Sequence, residues 1–554
     1  MGHARERQTG RWIPVGFRFE RPGRMVKGYS YDALPMDWVG DWAGRRCTLT
    51  PQRSAVVDAD SGQSYTFATL DDRANRVGAY LRDALGLVKG DRIAFIGGNR
   101  IEPIDLYLAA GKLGVVLAPL SFRLRQPELS ELLQCIQPKV LFYEETFAEL
   151  CDSLIRPACL VDTIRYAAEH SPYQREVLST PPRQVNNALA LDDPYLLIHT
   201  GGTTATPKVC IVSHRQMVWN SFELILAAAE GLASRRELLL FPLFHIGGWN
   251  TFTPVFHAGG RVVLIRRFEP ARVLALIEEQ RISHLGAVEA MLKLMAEQPG
   301  FAAADLSALR GVTSAGAPCS EAAMRPFWER GIPVSQAYGL TEAGPSNFMH
   351  GQSPTSMAAV RARHASVGTA FFHCDYRIVE PQSHQPVRRG EVGVLLLRSP
   401  HNFDGYLGQP ERTERALLEG GWVDSGDLAR EDDAGYVYIV GRVDNQFSSG
   451  GENVSPEEIE RVLTEHPDIA EAAIFGVADA RWGQAPMAVV VASGAPPEVD
   501  VLRAYLHERL AGYKVPKHIV YVERLPLTGA GKVDRNAARQ LYAPGMSKSG
   551  GGES

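Results

Sequence analysis

The segment HTGGTTATPKVC, residues 199–210, combines glycines, hydroxyl side chains and one lysine within a single turn. The backbone N–H groups of adjacent glycines can converge on an anion, the hydroxyls can donate to it, and the lysine can neutralise it. The residues concerned are Thr200, Gly201, Gly202, Thr203, Thr204 and Lys208. The segment therefore predicts a phosphate-binding loop, with a Gly/Thr-rich surface hairpin as the alternative.

This loop differs from an ordinary Walker loop. It lacks the G-x-x-x-x-G-K-[ST] pattern, and it lies between the strand-like runs YLLI and VCIV instead of opening a helix. An anion would therefore bind at the turn itself. Other motifs must decide between a phosphate loop and a plain hairpin.

Six further segments place charged or aromatic residues among glycines. In chain order they are FPLFHIGGWN (241–250), SAGAP (314–318), AYGLTEAG (337–344), GWVDSGDLAR (421–430), GRVDNQFSSGGENVSPEEIE (441–460) and PLTGAGKVDR (526–535). Together with the loop, they resemble the motifs of the adenylate-forming superfamily, which includes acyl-CoA synthetases, luciferases and the adenylation domains of peptide synthetases. The resemblance extends over about residues 40–540.

The resemblance implies an AMP-forming ligase. A carboxylate would displace pyrophosphate from the α-phosphate of ATP to form an acyl-adenylate, and CoA would then take the acyl group as a thioester. The implied substrates and cofactors are a small fatty or aromatic acid, ATP, Mg²⁺ and CoA. Such chemistry proceeds by positioning and charge neutralisation, so it requires cations and a metal.

Two other hypotheses stay open at this point. The adenylation half could act on another oxyanion or serve another acceptor: a carrier-protein thiol, or an arylamine as in the diazotase branch, which activates nitrite in natural-product biosynthesis. The third hypothesis is a non-catalytic nucleotide-binding relative. It is disfavoured because Lys532, Glu342, Asp427 and Arg442 are all retained.

By resemblance, four residues carry the catalytic chemistry. Lys532, in the Gly-rich segment TGAGKVDR, would contact the α-phosphate and the attacking carboxylate. Glu342 is the expected hard oxygen ligand of Mg²⁺, which in turn would bridge phosphate oxygens. Thr341 and Lys208 complete the set.

The resemblance also implies a nucleotide site. Tyr338 would stack on the adenine, Asp427 would accept hydrogen bonds from both ribose hydroxyls, and Arg442 would contact ribose and phosphate. The turn residues assigned to the same site are Gly316, Ala317, Pro318 and Gly339.

Two segments are expected to supply the acyl pocket. His245 and Trp249 fall where the superfamily has a substrate-facing aromatic motif, and Trp249 resembles a gate residue of some fatty-acyl enzymes. Asn347 and Phe348, directly after the Mg²⁺ motif, are expected to face the substrate too. A core position is the alternative for the histidine, since a lone His in an apolar run is more often a satisfied core residue.

A second face of the C-terminal part is expected to bind CoA. Two glycines would line a pantetheine tunnel, a tryptophan in RWGQ would flank it, and two lysines in YKVPK would contact the CoA nucleotide. These residues are Gly450, Gly451, Trp482, Lys514 and Lys517. A buried structural tryptophan is the alternative at position 482.

Asp444 matches the hinge of the superfamily. By resemblance, the small domain rotates at this residue after adenylation, withdraws Lys532 and presents the acceptor face. The expected domains are residues 1–443, a large domain with the ATP and acyl sites, and residues 444–543, a small mobile domain. The Gly/Ser-rich residues 544–554 are expected to form a disordered tail.

Several positions depart from the superfamily pattern. Ala205 and Val209 replace glycines of the phosphate loop, Asn445 replaces an acidic residue beside the hinge, and Ser448 stands where many relatives have lysine. If either loop position needs a positive φ, the loop must be differently shaped or strained. The departures suggest a specialised branch.

Composition fits this class of enzyme. The chain has 554 residues, 45% of them hydrophobic, so it can build several folding units with ample cores. A net charge of -5 argues against a general nucleic-acid binder. Seven scattered cysteines without a C-x-x-C pair and the lack of long apolar runs predict a cytoplasmic protein without a structural zinc or a membrane span. A homodimer is compatible with the sequence.

The elements that would position these residues alternate between strands and helices. DRIAFIGG, EPIDLYLAAGKLG and VVLAPL read as strand, helix and strand, and the pattern recurs between residues 237 and 288. We therefore predict an α/β fold in which mostly parallel sheets are covered by helices, followed by a compact α+β domain. Its first helix, SPEEIERVLTEH, has a capping-box spacing of Ser455 and Glu458.

Overall fold

The computed structural model describes residues 33–167, 170–200, 208–228, 231–350, 357–449, 452–479, 481–528 and 532–543. The turn of the predicted phosphate loop, residues 201–207, lies outside the described residues, and so do Gly450, Gly451 and the tail 544–554. The predictions for Gly201, Gly202, Thr203 and Thr204 therefore stay predictions.

The described strands are numbered in chain order. They are β1 Ser54–Asp58, β2 Ser64–Thr66, β3 Arg92–Ile96, β4 Val116–Leu120, β5 Val140–Glu144, β6 Asp162–Tyr166, β7 Pro194–Thr200, β8 Lys208–Ser213, β9 Arg236–Leu239, β10 Arg261–Leu264, β11 His284–Ala287, β12 Gly311–Ser314, β13 Val334–Tyr338, β14 Phe348–Met349, β15 Thr369–Ala370, β16 Asp375–Val379, β17 Gly393–Arg398, β18 Leu417–Leu418, β19 Trp422–Glu431, β20 Val437–Arg442, β21 Phe447–Ser449, β22 Glu452–Val454, β23 Ile469–Asp479, β24 Gly483–Ala492 and β25 His518–Tyr521.

The described α-helices are numbered in the same way. They are α1 Trp42–Leu49, α2 Phe67–Ala79, α3 Ile101–Leu113, α4 Gln126–Ile136, α5 Ala148–Asp152, α6 His214–Ala227, α7 Ile246–Ala258, α8 Pro270–Glu279, α9 Glu289–Ala296, α10 Glu321–Glu329, α11 Met357–Ala362, α12 Pro410–Ala416, α13 Pro456–Thr464, α14 Val499–His507 and α15 Arg535–Tyr542.

A nine-stranded sheet has the order β15-β14-β13-β12-β11-β9-β10-β1-β2. Its central strands, from β13 to β1, are parallel, and antiparallel strands close both edges. One face packs on a core formed with α8, α9 and α10, to which Leu276, Phe327 and Trp328 belong. Burial on both faces explains why these strands read as short apolar runs.

A six-stranded sheet, β6-β5-β3-β4-β7-β8, forms the second layer of the large domain. Its strands are parallel except for β8, which runs antiparallel to β7. Helix α3 is buried along its whole length and belongs to the largest core of the protein. The predicted strand, helix and strand around residue 100 correspond to β3, α3 and β4.

A five-stranded antiparallel sheet of β16 to β20 follows. The small part after it contains the hairpin of β21 and β22, a sheet of order β23-β24-β25, and helices α13 to α15. It has its own apolar clusters, centred on Ile459 and Leu463 and on Phe475 and Val489. The α/β fold with a smaller α+β domain is therefore confirmed.

The predicted capping box at α13 is wrong. Ser455 stands at the N-cap, but its side chain makes no capping hydrogen bond. Gln446 instead donates to the Ser455 hydroxyl at 3.1 Å, and Glu458 forms an ion pair with Lys514 at 2.6 Å. Both side chains that a capping box needs are therefore bound to residues outside the helix terminus.

No helix within the described residues is long and apolar enough to cross a membrane.

Candidate active site

The motifs meet at one edge of the nine-stranded sheet. Strand β12 leads into SAGAP, β13 ends at Tyr338, and β9 is followed by the segment that contains His245. Because these strands are parallel neighbours, their carboxyl ends lie at the same edge. Ligands of open α/β sheets bind in the crevice at this edge, which makes it the candidate active site.

Two glycines shape the turns at this edge. Gly316 has a φ of +88°, a conformation that favours glycine, and open space surrounds its missing side chain. Ala317 and Pro318 beside it are exposed. At Gly339 a Cβ would lie 2.1 Å from the carbonyl oxygen of Pro345, so close packing accounts for this glycine. The open turn at Gly316 leaves room for a base, whereas nucleotide contact at Gly339 stays a prediction.

The Asp427 carboxylate is held from two sides. The Tyr338 hydroxyl donates to Oδ2 at 2.5 Å, and the Arg442 guanidinium donates to Oδ1 at 2.9 Å. Burial raises the pKa of Asp427, and the Arg442 cation opposes that shift. Each oxygen retains a lone pair for a further donor, so the two ribose hydroxyls can still bind as predicted.

Glu342 is fixed by neighbours from other elements. Tyr406 donates its hydroxyl to Glu342 Oε1 at 2.8 Å, and Gln216 donates to the carbonyl of the buried Thr341 at 2.7 Å. Burial and the Glu342 carboxylate together raise the pKa of the neighbouring Cys210 thiol well above its usual range. The predicted metal carboxylate therefore lies against β8.

Lys208 opens β8, directly opposite Thr200 in the register of β7 and β8. The two residues close the hairpin whose turn would be the phosphate loop. Because Cys210 on the same strand approaches Glu342, the hairpin stem and the predicted Mg²⁺ ligand are neighbours. The role of Lys208 and Thr200 in binding phosphate stays a prediction.

Lys532 brings the small domain to this edge. Burial lowers the pKa of Lys532, the Asp427 carboxylate opposes that shift, and the Arg442 cation reinforces it. The Lys532 side chain nevertheless keeps an exposed surface, as expected for a group in an open cleft. The cation predicted to be catalytic thus lies within electrostatic reach of the predicted ribose and phosphate residues.

His245 lies on the same cleft. It caps α7, where its Nδ1 accepts from the Gly247 N–H at 3.2 Å. Desolvation by the surrounding cleft lowers its pKa to about 4, and the Lys532 and Arg123 cations contribute to the shift, while part of the ring stays exposed. His245 is therefore neutral at pH 7 and can accept or donate a hydrogen bond near the reacting groups.

Trp249 and Asn347 lie deeper than a surface gate would. Trp249 is fully buried and stacks on Tyr107 with ring centroids 4.4 Å apart. Asn347 is also fully buried and donates to the carbonyl of Ala343 at 2.7 Å. Phe348 is buried beside it. These contacts give all three a packing role, and their contact with a substrate stays a prediction.

A polar interior borders the Mg²⁺ motif. Asn220 of α6 donates to Asn250 Oδ1 at 2.7 Å, and Asn250 Nδ2 donates to the Ser346 hydroxyl at 3.0 Å. One turn further along α6, the buried Glu223 pairs with His373 at 2.5 Å. Among the described residues, Asn220 Oδ1 and Glu223 Oε2 are buried acceptors without a partner. Such a region suits hydrogen-bond donors from water or from a polar substrate.

The predicted acceptor residues are dispersed over the small domain. Trp482 is 43% exposed and carries the Arg481 guanidinium over its ring. Lys514 is paired with Glu458, and Lys517 forms a salt bridge with Asp479. The exposed Trp482 excludes the alternative of a buried structural tryptophan. A role of the lysines in CoA binding stays a prediction.

Asp444 lies in a 3₁₀ turn, Val443–Asn445, directly after β20. It is exposed, and the turn connects Arg442 of the large part to β21 of the small part. The neighbouring Asn445 donates to Glu457 of α13 at 2.5 Å. An exposed turn between two domains can absorb a backbone rotation, and the hinge role of Asp444 stays a prediction.

A bound Mg²⁺ would depend on the substrate as well as the protein. No cluster of three or more His, Cys, Asp or Glu side chains suited to a metal occurs among the residues that the structure describes. Magnesium is commonly held by one or two carboxylates together with substrate phosphates. Glu342, fixed by Tyr406, fits that kind of site.

Three residues that act at the site or between the domains carried no sequence signal. Tyr406 orients Glu342, but in the sequence it is a lone aromatic residue in a Gly-rich segment. Arg123 acts electrostatically on His245, but in the sequence nothing distinguishes it from the many other arginines. Lys293 of α9 donates to the carbonyl of Ala470 in β23 at 3.1 Å, which joins the two domains. Their roles depend on contacts between distant elements.

Comparison with known proteins identifies the family. The model of the AMP-binding enzyme family matches residues 44–407, and that of the AMP-binding enzyme C-terminal domain matches residues 458–532. Feruloyl-CoA synthase from Amycolatopsis sp. is 35% identical over 91% of this chain and 99% of its own length. Indoleacetate–CoA ligase from Aromatoleum aromaticum is 34% identical over 91% and 98%.

A solved structure agrees with these matches. The o-succinylbenzoate CoA synthetase of Bacillus subtilis, in complex with its acyl-adenylate intermediate, superimposes with a TM-score of 0.78. It is 27% identical, and the match covers 90% of this chain and 98% of that one. The chain therefore belongs to the AMP-binding enzymes of the adenylate-forming superfamily.

Proposed function

We propose that this protein is an AMP-forming acid–thiol ligase. In the first half-reaction a carboxylate oxygen attacks the α-phosphorus of ATP, a P–O bond forms, and pyrophosphate leaves. In the second, the CoA thiolate attacks the acyl carbon of the adenylate, AMP leaves, and the thiol proton passes to solvent. The products are an acyl-CoA, AMP and pyrophosphate.

The observation that carries the proposal is that Lys532 lies within electrostatic range of the hydrogen-bonded pair of Asp427 and Arg442, to which Tyr338 at the carboxyl edge of the large sheet also binds. Lys532 comes from the small domain and the pair from the five-stranded sheet. If Asp427 binds the ribose, a cation beside it would lie close to the α-phosphate, on which negative charge develops during the reaction. Charge placed in advance at that point stabilises the transition state.

Each remaining residue then has a role in holding ATP and the acid. Mg²⁺ bound at Glu342 would supply charge neutralisation of the phosphate oxygens. The residues that contact the triphosphate are Thr200, Gly201, Gly202, Thr203, Thr204, Thr341 and Lys208. Tyr338 stacks on the adenine above the open turn of Gly316, Ala317 and Pro318, and neutral His245 borders the acid.

The small domain is proposed to change orientation between the two half-reactions. In the present orientation the charges of Asp427 and Arg442 act on Lys532, and a hydrogen bond from Lys293 to Ala470 joins the domains. Rotation at Asp444 would withdraw Lys532 and bring Trp482, Lys514, Lys517 and the glycines 450–451 towards the adenylate. The domain boundary at residues 443 and 444 belongs to this proposal.

An aromatic acid is the proposed substrate class. The two relatives described above, feruloyl-CoA synthase and indoleacetate–CoA ligase, are both named after an aromatic acid. The polar interior of Asn220, Asn250 and Ser346 favours an acid with a polar substituent over a plain alkyl chain.

All seven cysteines are free, and we place the enzyme in the cytoplasm.

An amine or a carrier-protein thiol is the alternative acceptor, and nitrite is the alternative oxyanion. The buried acceptors Asn220 Oδ1 and Glu223 Oε2 favour a donor-bearing substrate such as an aminoaryl acid. The experiment is a pyrophosphate-release assay with aliphatic acids, aryl acids and nitrite, each with and without CoA, followed by mass analysis of the products. Glu342→Ala protein serves as the inactive control.

We expect one or more aryl acids to release pyrophosphate and to yield a CoA thioester. Turnover of an aminoaryl acid only together with nitrite, without thioester, would replace the proposed acceptor by the alternative. Absence of pyrophosphate release with every acid and nitrite would overturn the proposed function.

A further inference from the structure

The interior between α6, α7 and the Mg²⁺ motif contains buried hydrogen-bond acceptors that lack a donor. Gln216, Asn220 and Glu223 lie on one face of α6, at positions i, i+4 and i+7. All three side chains are fully buried, and each has an acceptor oxygen without a partner in the described part of the chain. Oδ1 of the buried Asn347 is a further such oxygen. Because unpaired acceptors away from solvent are costly, this interior favours a bound group that carries donors.

The Glu223 carboxylate is oriented through one of its two oxygens. His373, in the loop before β16, donates its backbone N–H to Oε1 at 3.2 Å and approaches the same oxygen with Nδ1 at 2.5 Å. The Phe371 N–H donates to the carbonyl of Asn347 at 3.0 Å, which fixes this loop beside the Mg²⁺ motif. Oε2 is therefore the oxygen that stays available to another donor.

The Asn220 amide is held from its donor side. Its Nδ2 donates to Asn250 Oδ1 at 2.7 Å, and Asn250 Nδ2 donates to the Ser346 hydroxyl at 3.0 Å. Oδ1 of Asn220 is left as an acceptor. Since residues three apart on a helix have Cβ atoms about 5–6 Å apart, one small group can contact both this oxygen and Glu223 Oε2.

This interior adjoins the candidate active site. The Asn347 N–H donates to the carbonyl of Tyr338 at 2.9 Å. Asn250 lies five residues after His245 on α7, which is roughly 7.5 Å along the helix axis. That distance is close to the length of an aromatic ring with a carboxylate at one end and a substituent at the other. An acid whose carboxylate lies near His245 would thus place a ring substituent near Asn250 and Asn220.

The number of available acceptors discriminates between substituents. A ring amino group has two N–H donors, a hydroxyl has one O–H donor, and an unsubstituted ring has none. Of these three, the amino group alone can donate to both Glu223 Oε2 and Asn220 Oδ1. A substrate without the donors leaves buried acceptors unpaired, and sites built to bind a polar group reject analogues that lack it.

We propose, on the basis of the ligase function above, that Glu223 and Asn220 recognise an amino group on the ring of the acid substrate. The substrate class is thereby narrowed from aryl acids to aminoaryl acids, whichever acceptor takes the acyl group. Glu223 and Asn220 are specificity-determining residues in this proposal and take no part in the transfer of the adenylyl group.

The test compares acids that differ in one substituent. Pyrophosphate release is measured with meta- and para-aminobenzoate and para-aminocinnamate, each beside its hydroxy analogue and its unsubstituted parent. In wild-type protein the kcat/KM of the preferred aminoaryl acid should exceed that of its parent by about 100-fold and that of its hydroxy analogue by about tenfold.

Variants of the full chain assign the discrimination to the two residues. Glu223→Met removes the carboxylate and keeps the length of the side chain, so the ratio of kcat/KM for the aminoaryl acid to that for its parent should fall by about tenfold or more. Asn220→Leu should lower the same ratio and is the second variant if Glu223→Met does not fold. Glu237→Met, which removes another buried carboxylate, paired with Arg235 near the start of β9, is the matched control and should keep the wild-type ratio.

Three results would overturn the recognition of an amino group while the ligase function stands. They are equal kcat/KM for parent and aminoaryl acids, a preference for the hydroxy analogues, and an unchanged ratio in folded Glu223→Met or Asn220→Leu protein. The last result is expected if water alone pairs with these acceptors. Absence of pyrophosphate release with every acid would instead overturn the proposed function itself.

Discussion

The hydrogen bond from Lys293 to the carbonyl of Ala470 joins α9 of the large domain to β23 of the small domain. If the small domain rotates between half-reactions, this bond exists only in the orientation that keeps Lys532 at the phosphate site. Lys293→Met removes the donor while it keeps the aliphatic stem. The variant should therefore shift the balance away from the adenylating orientation.

The size of the shift follows from the environment of Lys293. A hydrogen bond to a charged group contributes about 1.5–3 kcal/mol when buried. The Lys293 side chain is 30% exposed and also pairs with Glu289, so water and Glu289 compensate part of the loss. We therefore expect Lys293→Met to destabilise the adenylating orientation by about 1 kcal/mol. This free energy corresponds to a roughly fivefold change in the ratio of the two orientations.

The assay measures the two half-reactions separately: pyrophosphate release with acid and ATP, and thioester formation from preformed adenylate and CoA. The ratio of the first rate to the second should fall about fivefold in Lys293→Met. Lys293→Arg, which keeps a donor, should restore it. Arg325→Met, which removes an exposed pair on α10 without an interdomain contact, is the matched control.

An unchanged ratio in folded Lys293→Met protein would show that the Lys293 contact does not select the adenylating orientation. An equal loss of both half-reactions would show that Lys293 acts on stability alone. Either result would refute the reasoning.

Three further predictions concern the hinge, the metal site and pH. Asp444→Pro should release pyrophosphate in one burst and then stall with bound adenylate, because proline fixes φ near -65°; uniform loss of both half-reactions would mean that Asp444 is only a surface turn. Tyr406→Phe leaves Glu342 without its hydroxyl donor, so the Mg²⁺ concentration for half-maximal pyrophosphate release should rise about threefold to tenfold, and an unchanged Mg²⁺ dependence would contradict the assignment. Burial lowers the pKa of His214 to about 3, so the unfolded chain binds a proton below pH 6.5 that the folded one does not; stability should fall by about 2 kcal/mol between pH 6.5 and 5 from this residue, and His214→Phe should show a flatter denaturation profile over that range.

The sequence predicted the elements of the large domain well. The runs that became β9, β10 and β11 are short, apolar and bounded by turns, which is what burial on both faces of a parallel sheet requires. The resemblance assigned Gly316 and Tyr338 to one nucleotide site, and the two residues indeed lie at the carboxyl ends of the neighbouring parallel strands β12 and β13. Local pattern and global fold agree there.

The capping box failed for a physical reason. Ser455 and Glu458 have the right spacing, but Gln446 and Lys514 compete for them with contacts that only the folded small domain creates. The spacing of Ser455 and Glu458 shows that a capping hydrogen bond is possible, but it does not show which partners the two side chains bind in the folded protein.

Site residues set by distant contacts were beyond sequence reasoning. Trp249 lies in an apolar helix where a gate and a core residue look alike, and its stacking on Tyr107 follows from packing between α7 and α3. Tyr406 reaches Glu342 across 64 residues of chain. No local periodicity encodes either contact.

The most direct test of the central claim separates the half-reactions of Lys532→Ala. Because we propose that Lys532 neutralises charge on the α-phosphate, the variant should lose adenylate formation by several orders of magnitude. It should still bind ATP and should form thioester from preformed adenylate and CoA at close to the wild-type rate. Equal loss of both half-reactions, or unimpaired adenylate formation, would contradict the account.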